Sequence, residues 1–373
     1  MVQKVIQGRE SLKRIPDLME KVGITHPLIV GSGKLIPRLT RMEALKNAAV
    51  FTGYHPNPDL ADAEAGVELF RQERCDGLIS IGGGSAMDTA KAVKAWLCAG
   101  SMEETLKGHL EEKAIPHIAV PGTAGSGSEA TANAVVYEQG TKRSLGHPAL
   151  LPDGVVLDAS LLESLLEYHQ KSCALDALSQ GIESYWARSA TEDSRIHAYL
   201  AILGVLDNLK AYLEGDPHAA EEMMDASYQS GKAIFFTRTT AAHAMSYQVT
   251  KLLGLAHGHA CFVTLPVLWD RMCAEEEMKP VMRELASRMR LGNPLMGSRL
   301  LRGMLIDLGM EAPPPPSEEI LRKLSDSVDP ERLGNHPVPM TRKDIETVYR
   351  QAFRPIQEPE RQACLDIWRY YGA

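Results

Sequence analysis

The chain reads as an α/β domain of Rossmann-like type followed by an all-helical domain, and three features of the sequence predict this. Short apolar runs alternate with helical patterns up to about residue 160, two glycine-rich loops close strand-like runs within that half, and after Asp158 the alternation gives way to helix alone. A chain of 373 residues exceeds what one hydrophobic core usually serves, so two domains are expected, over residues 1–160 and 161–373.

The strands are expected at HPLIVGS (26–32), CDGLISIGGGS (75–85), AIPHIAVPGTAGSGS (114–128) and GVVLD (154–158). Each is a near-continuous aliphatic run closed by Gly, Pro or Asp, the pattern of a strand covered on both faces in a parallel sheet. DLADAEAGVELFRQERC has the 3.6-residue apolar period of a helix lying on a sheet face. Beyond Asp158, SLLESLLEYHQKSCALDALSQGIESYWA, SRIHAYLAILGVLDNLKAYL and AEEMMDASYQSGKAIFFT all read as helix. The run Pro313 to Pro316 cannot be helical and marks a surface break, after which short charged helices return.

Composition narrows the function. A net charge of -8 gives no general attraction to nucleic acid or anionic membrane, and a hydrophobic content of 44% is ordinary for a soluble protein. The 6 cysteines are scattered, without a CxxC pair, and read as reduced cytoplasmic thiols rather than a disulfide framework. MVQKVIQGRESLKRIPDLMEKVG lacks the apolar core of a secretory signal, and no apolar run long enough to span a membrane follows, so a cytoplasmic location is expected.

Two groups of residues carry chemistry. In SIGGGSAMDTAKAV a strand runs into Gly82, Gly83 and Gly84 and then into a helix, so backbone can approach a ligand while the helix N-terminus offers N–H donors to phosphate. PGTAGSGSEAT, with Thr123 and Ser126, places a second Gly/Ser/Thr loop at the end of another strand; two such loops in one sheet favour a dinucleotide. Ser85 and Asp88 belong to the first loop, Asp88 as a group that orders it, since a carboxylate would repel phosphate. In the helical half, Asp176 and Gln180 lie four apart on one helix face, and HAMSYQVTKLLGLAHGH sets His243, His257 and His259 in a mostly apolar and small-residue context. A carboxylate with imidazoles suits a divalent cation such as Fe(II) or Zn(II), with Asp176, Gln180, His243 and His257 as the ligand candidates. His259 is either a group supporting the ligands or a substrate contact.

GGGSAMDTAKA, PGTAGSGSEAT, HPALLPDGVVLD, LDALSQGIESYW and GLAHGHACFVTLP occur in the order and spacing of the iron-containing alcohol dehydrogenase family, which the chain resembles over nearly its whole length. FTGYHPNPD, ESYWARSATEDSR and HAMSYQVT followed by HGHA look most like its phosphonoacetaldehyde reductase branch. The resemblance implies nicotinamide in a cleft between a Rossmann-like and a helical domain of dehydroquinate synthase-like architecture, a metal held by one Asp and three His, and a homodimer. Gln180 stands where members usually carry the further His, which implies weaker iron binding, or zinc. Tyr247 replaces a histidine credited with relaying a proton, so Tyr247 or His259 is expected to serve as the catalytic proton donor. Ser32 occupies the position after the first strand where NAD-preferring members carry an acid, so NADPH is expected to be accepted alongside NADH. By the same resemblance Asn57, Pro58 and Lys142 would hold the cofactor. A phosphonate substrate needs cations, for which Arg238 and Lys251 are the candidates near the ligands. The competing readings are a general short-chain alcohol dehydrogenase of the same family and a metal-dependent lyase of the dehydroquinate synthase type.

Overall fold

Six short strands of the first half pair side by side, all in parallel, and the aliphatic side chains of the four central ones need cover on both faces. The computed structural model describes residues 3–110, 115–138 and 141–371. Strands β1 (Lys4–Gln7), β2 (Pro27–Gly31), β3 (Ala49–Phe51), β4 (Gly77–Gly82), β5 (His117–Pro121) and β8 (Gly154–Leu157) form one sheet in the order β1-β8-β5-β4-β2-β3, while β6 (Asn133–Glu138) and β7 (Thr141–Gly146) form a separate antiparallel pair. In β2, β4, β5 and β8 every residue is buried.

Helices α1 (Ile15–Val22), α2 (Ile36–Thr40), α3 (Leu60–Gln72), α4 (Gly84–Ala99) and α5 (Met102–Leu106) accompany the sheet. One core packs Leu18, Leu39, Ile79 and Ile118; the other packs Val30, Val67, Leu78 and Val93. The register aligns Leu28 with Leu78 and Leu78 with His117, so β2, β4 and β5 end together and bring Ser32, Gly82 and Gly122 to one sheet edge.

The second unit is helical: α6 (Glu167–Trp186), α7 (Glu192–Leu213), the later part of α8 (Pro217–Thr237), α9 (Ala241–Leu253), α10 (His257–Phe262), α11 (Leu265–Ala274) and, among the described residues, six further helices between Lys279 and Tyr371. No helix of the described residues is long and apolar enough to cross a membrane. The α/β and all-helical halves follow the expected fold class.

A single cut at residue 160 needs correction. The units are Met1–Leu165 with Gly215–Gly231, and Leu166–Glu214 with Lys232–Ala373. The start of α8 groups with the first unit because it packs there: a Cβ on Gly231 would lie 2.2 Å from the Gly127 carbonyl oxygen, and Tyr228 Oη donates to Gln3 at 3.1 Å. Helical periodicity reports that a segment is helical, not which core it joins.

Candidate functional site

In the first unit the two glycine loops meet. Gly82 has φ +149°, a conformation that L side chains rarely adopt, and a Cβ on Gly122 would come within 2.6 Å of Leu35 and 3.3 Å of Gly82 Cα. Gly83 would meet Thr123 and Gly84 would meet Ser126, each at 3.4 Å. Gly83, which has no side chain, caps α4, so the N-cap offers no acceptor to the first N–H groups of this 16-residue helix. Asn57, in the left-handed region at φ 58°, donates its N–H to Ser85 Oγ at 3.3 Å, and the Pro58 carbonyl accepts from Tyr137 at 2.8 Å, which fixes the facing loop. The Ser32 N–H donates to Ile81 O at 3.2 Å, holding it beside Gly82.

Asp88 turns inward. It accepts from Ser128 Oγ at 3.0 Å and from the Val135 N–H at 3.1 Å, so it ties the second loop and β6 to α4, where the sequence leads us to expect it to order the first loop. Burial raises its pKa against the opposing pull of Lys91 and Lys142. Lys91 escaped the sequence reading. Fully buried, it donates to Ser128 O, Ser128 Oγ, Thr131 Oγ1 and Asn133 O at 2.6 to 3.0 Å, and stitches the second loop to α4. Its only signal is that it and Lys94 are the two lysines inside an otherwise apolar helix pattern, AKAVKAW.

In the second unit, Asp176 on α6, His243 on α9, and His257 and Cys261 on α10 point their ligand atoms at one another, all within 4.8 Å. His243 Nε2 lies 3.2 Å and His257 Nε2 3.8 Å from Asp176 Oδ1. Asp176 Oδ1 and His243 Nε2 are both buried yet share no hydrogen bond of proper geometry. They attract without bonding, so both keep lone pairs or protons aimed at a common point, which is what a cation site requires. The chemistry of this donor set fits a divalent cation.

Why the segments fold this way is local. Asp176, Gln180 and Glu183 recur at i, i+4 and i+7 on α6 and all are buried. Gly258 follows His257 because a Cβ there would lie 2.0 Å from Ser172 O and 2.8 Å from Asp176 N: only glycine lets α10 lie against α6. Glu183 accepts from Thr240 Oγ1 at 2.6 Å and from the Ala242 N–H at 2.8 Å, and it pairs with His243 Nδ1. That carboxylate fixes the imidazole so that Nε2 faces Asp176.

Electrostatics follow from the packing. Burial pushes the Asp176 carboxyl up, but His257 and His243 overcome it and hold it low; Glu183 is likewise held low by His243. Burial pushes His243 down, but Cys261 and Glu183 raise it well above its ordinary range, and Cys261 and Asp176 raise His257. The Cys261 thiol, pushed up by burial, is brought down to about 7 by the two imidazoles.

Gln180 is buried on the same face of α6, between Asp176 and Glu183. Tyr247, one turn along α9 from His243, stacks on His257 with ring centroids 6.0 Å apart, and its hydroxyl accepts from Arg332 Nη1 at 2.7 Å. The Arg332 guanidinium also lies 4.8 Å from the Tyr247 ring centroid. Arg238 and Lys251 are exposed, and their side chains make no hydrogen bond or ion pair among the described residues, whereas Arg332 packs on Tyr247 beside the centre.

The expectation that His259 donates a proton is corrected. His259 Nε2 bonds Met310 O at 2.7 Å and Nδ1 bonds Tyr168 Oη at 3.2 Å, so both ring nitrogens are committed away from the cluster. Burial lowers its pKa and keeps it neutral, a histidine that anchors α10. Of the two roles the sequence left open for His259, supporting the ligands or contacting substrate, these hydrogen bonds fit the first.

Models of two families match the chain: "Iron-containing alcohol dehydrogenase" over residues 2–159 and "Fe-containing alcohol dehydrogenase family, C-terminal" over residues 171–353. Long-chain-alcohol dehydrogenase 1 of Geobacillus thermodenitrificans is 30% identical over 91% of each chain, and phosphonoacetaldehyde reductase of Streptomyces viridochromogenes is 34% identical over 68% of this chain and 66% of that one. Among solved structures, sulfoacetaldehyde reductase from Bifidobacterium kashiwanohense in complex with NAD+ superposes with a TM-score of 0.87 at 26% identity, covering 94% of this chain and 97% of that one. The chain belongs to the iron-containing alcohol dehydrogenase family. It is an oxidoreductase acting on an alcohol or aldehyde.

Proposed function

We propose that this chain reduces a small anionic aldehyde, such as phosphonoacetaldehyde to 2-hydroxyethylphosphonate, with hydride from NADPH or NADH. The observation that carries the reading is the convergence of Asp176, His243 and His257 with an arginine beside them: Arg332 stacks on Tyr247, which stacks on His257. A divalent cation held by these residues supplies a Lewis acid that stabilises negative charge developing on the carbonyl oxygen. Arg332 suits the anionic end of the substrate, since guanidinium binds phosphonate or sulfonate oxygens in pairs. Tyr247, hydrogen-bonded to Arg332, is the group that hands a proton to the product oxygen.

Ser32 puts no carboxylate against a 2′-phosphate, which supports acceptance of NADPH. The Gly82–Gly84 turn, the open start of α4 and the Thr123–Ser126 loop hold the pyrophosphate through backbone donors. Relatives named for phosphonoacetaldehyde and sulfoacetaldehyde reduction support an anionic aldehyde, while others named for long-chain alcohol and methanol keep a neutral alcohol as the second reading.

The test is nicotinamide oxidation over a panel of phosphonate, sulfonate and neutral aldehydes, with Fe(II), Zn(II) or chelator present. The expected outcome is net NADPH consumption, loss of turnover on chelation, and a lower KM for the anionic aldehydes. Arg332→Met should raise KM for an anionic aldehyde about 10- to 100-fold, the loss of a charge-assisted hydrogen bond, while Arg238→Met leaves it near wild type. Equal effects of Arg332→Met on charged and neutral aldehydes remove Arg332 from the substrate site, and turnover without net nicotinamide oxidation favours a lyase.

A further inference from the structure

We propose that the Cys261 thiolate is the fourth protein ligand of the metal centre, and that it biases the centre toward zinc over iron. This rests on the metal-dependent reading above, but it concerns a residue to which that reading gives no part.

The geometry is specific. Cys261 lies one helical turn after His257 on α10, and side chains at i and i+4 share a face. Its sulfur is 3.8 Å from His257 Nε2, and it closes the set of four donor atoms that lie within 4.8 Å of one another. A tetrahedral zinc site with bonds of about 2.0 Å to nitrogen or oxygen and about 2.3 Å to sulfur places its ligand atoms about 3 to 4 Å apart, so small side-chain adjustments bring the four onto one ion.

Burial supplies the second observation. Cys261 is fully buried, and two further buried polar atoms, Asp176 Oδ1 and His243 Nε2, are left without hydrogen-bond partners at the same point. A buried thiol used only for packing needs no such company; a thiolate aimed at two orphaned donors does. The other described cysteines lack this arrangement, since the donor cluster contains Cys261 alone among the six.

The chemical consequence follows from ligand softness. One carboxylate and two imidazoles already bind Zn(II) more tightly than Fe(II), and a softer thiolate ligand widens that preference for zinc. Zinc expands readily from four to five ligands, so a fourth protein donor does not close the centre to chemistry.

The test uses the full-length protein, stripped of metal and reloaded with one equivalent of Zn(II) or, as a spectroscopic probe, Co(II). The inference expects one sulfur at about 2.3 Å in X-ray absorption at the zinc edge, and a thiolate-to-cobalt charge-transfer band in the near ultraviolet. Both should disappear in Cys261→Ala and in Cys261→Ser, with zinc affinity down by more than about tenfold, the least that removing even an outer-shell partner causes. Circular dichroism verifies that the variants fold; if neither does, the wild-type spectra decide alone. A shell of nitrogen and oxygen only, or a sulfur shell that survives in the variants, overturns the inference while leaving the metal-dependent reading intact. Protein that takes up no metal overturns both.

Discussion

Glu183 holds His243 in place before any cation arrives, through a carboxylate that also ties down Thr240 and the Ala242 N–H at the start of α9. Glu183→Gln keeps the shape but removes the charge that sets the ring's orientation and basicity. Divalent metal affinity should fall about 10- to 100-fold in competition with a chromophoric chelator, with the fold retained by circular dichroism. An unchanged affinity would assign Glu183 to packing alone. At this scale the sequence was partly legible. Asp176, His243 and His257 stood out because imidazole and carboxylate in apolar surroundings are costly unless they are used. Glu183 and Cys261 carried signals of the same kind, i+7 from Asp176 and i+4 from His257, but an acid on a helix and a cysteine in an apolar stretch both have commoner explanations. Arg332 carried none, because it lies 85 residues from its partner Tyr247.

Gly258 decides how two elements of the centre meet. The absent Cβ is what allows α10 to reach α6, so Gly258→Ala must displace one helix from the other. The variant should lose about 1 to 3 kcal/mol or more in urea denaturation, as overpacked cores do, and should bind metal more weakly because His257 and Cys261 move together with α10. Wild-type metal affinity in a destabilised variant would show that the ligands do not depend on this contact. Elements differed in how plainly the sequence marked them. β2, β4, β5 and β8 were readable as continuous aliphatic runs, as was α3 from its apolar period. β1 and β3 have only 4 and 3 residues and lie at the sheet edges, partly open to solvent, so they show no such run. The hairpin of β6 and β7 alternates buried and open positions weakly, and its second strand is mostly polar.

For the molecule as a whole, stability against pH depends on several buried groups, Glu129 among them. Glu129 is fully buried, neither carboxylate oxygen has a hydrogen-bond partner, and burial raises its pKa to about 7. At low pH folded and unfolded chains are both protonated there and nothing is lost. As pH rises from the ordinary carboxylate range to about 7, only the unfolded chain ionises, so stability falls, by on the order of 3 kcal/mol at most. Lys91, pushed down to about 8, contributes only above that window. Glu129→Gln should therefore narrow the drop in Tm between pH 5 and pH 8 relative to wild type in calorimetry; an identical drop in both proteins would mean that Glu129 does not titrate anomalously.

What the sequence by itself determined is the architecture and the chemical type of the centre: periodicity is a local property, and glycines and histidines declare themselves where ordinary packing would not use them. Only the tertiary structure decided that both ring nitrogens of His259 turn away from the cluster, that Cys261 joins it, that Arg332 packs on Tyr247 beside it, and that the start of α8 packs with the first unit. Each of these depends on contacts between residues far apart in the chain or on the direction in which a short helix turns, and neither is encoded in any one segment read alone.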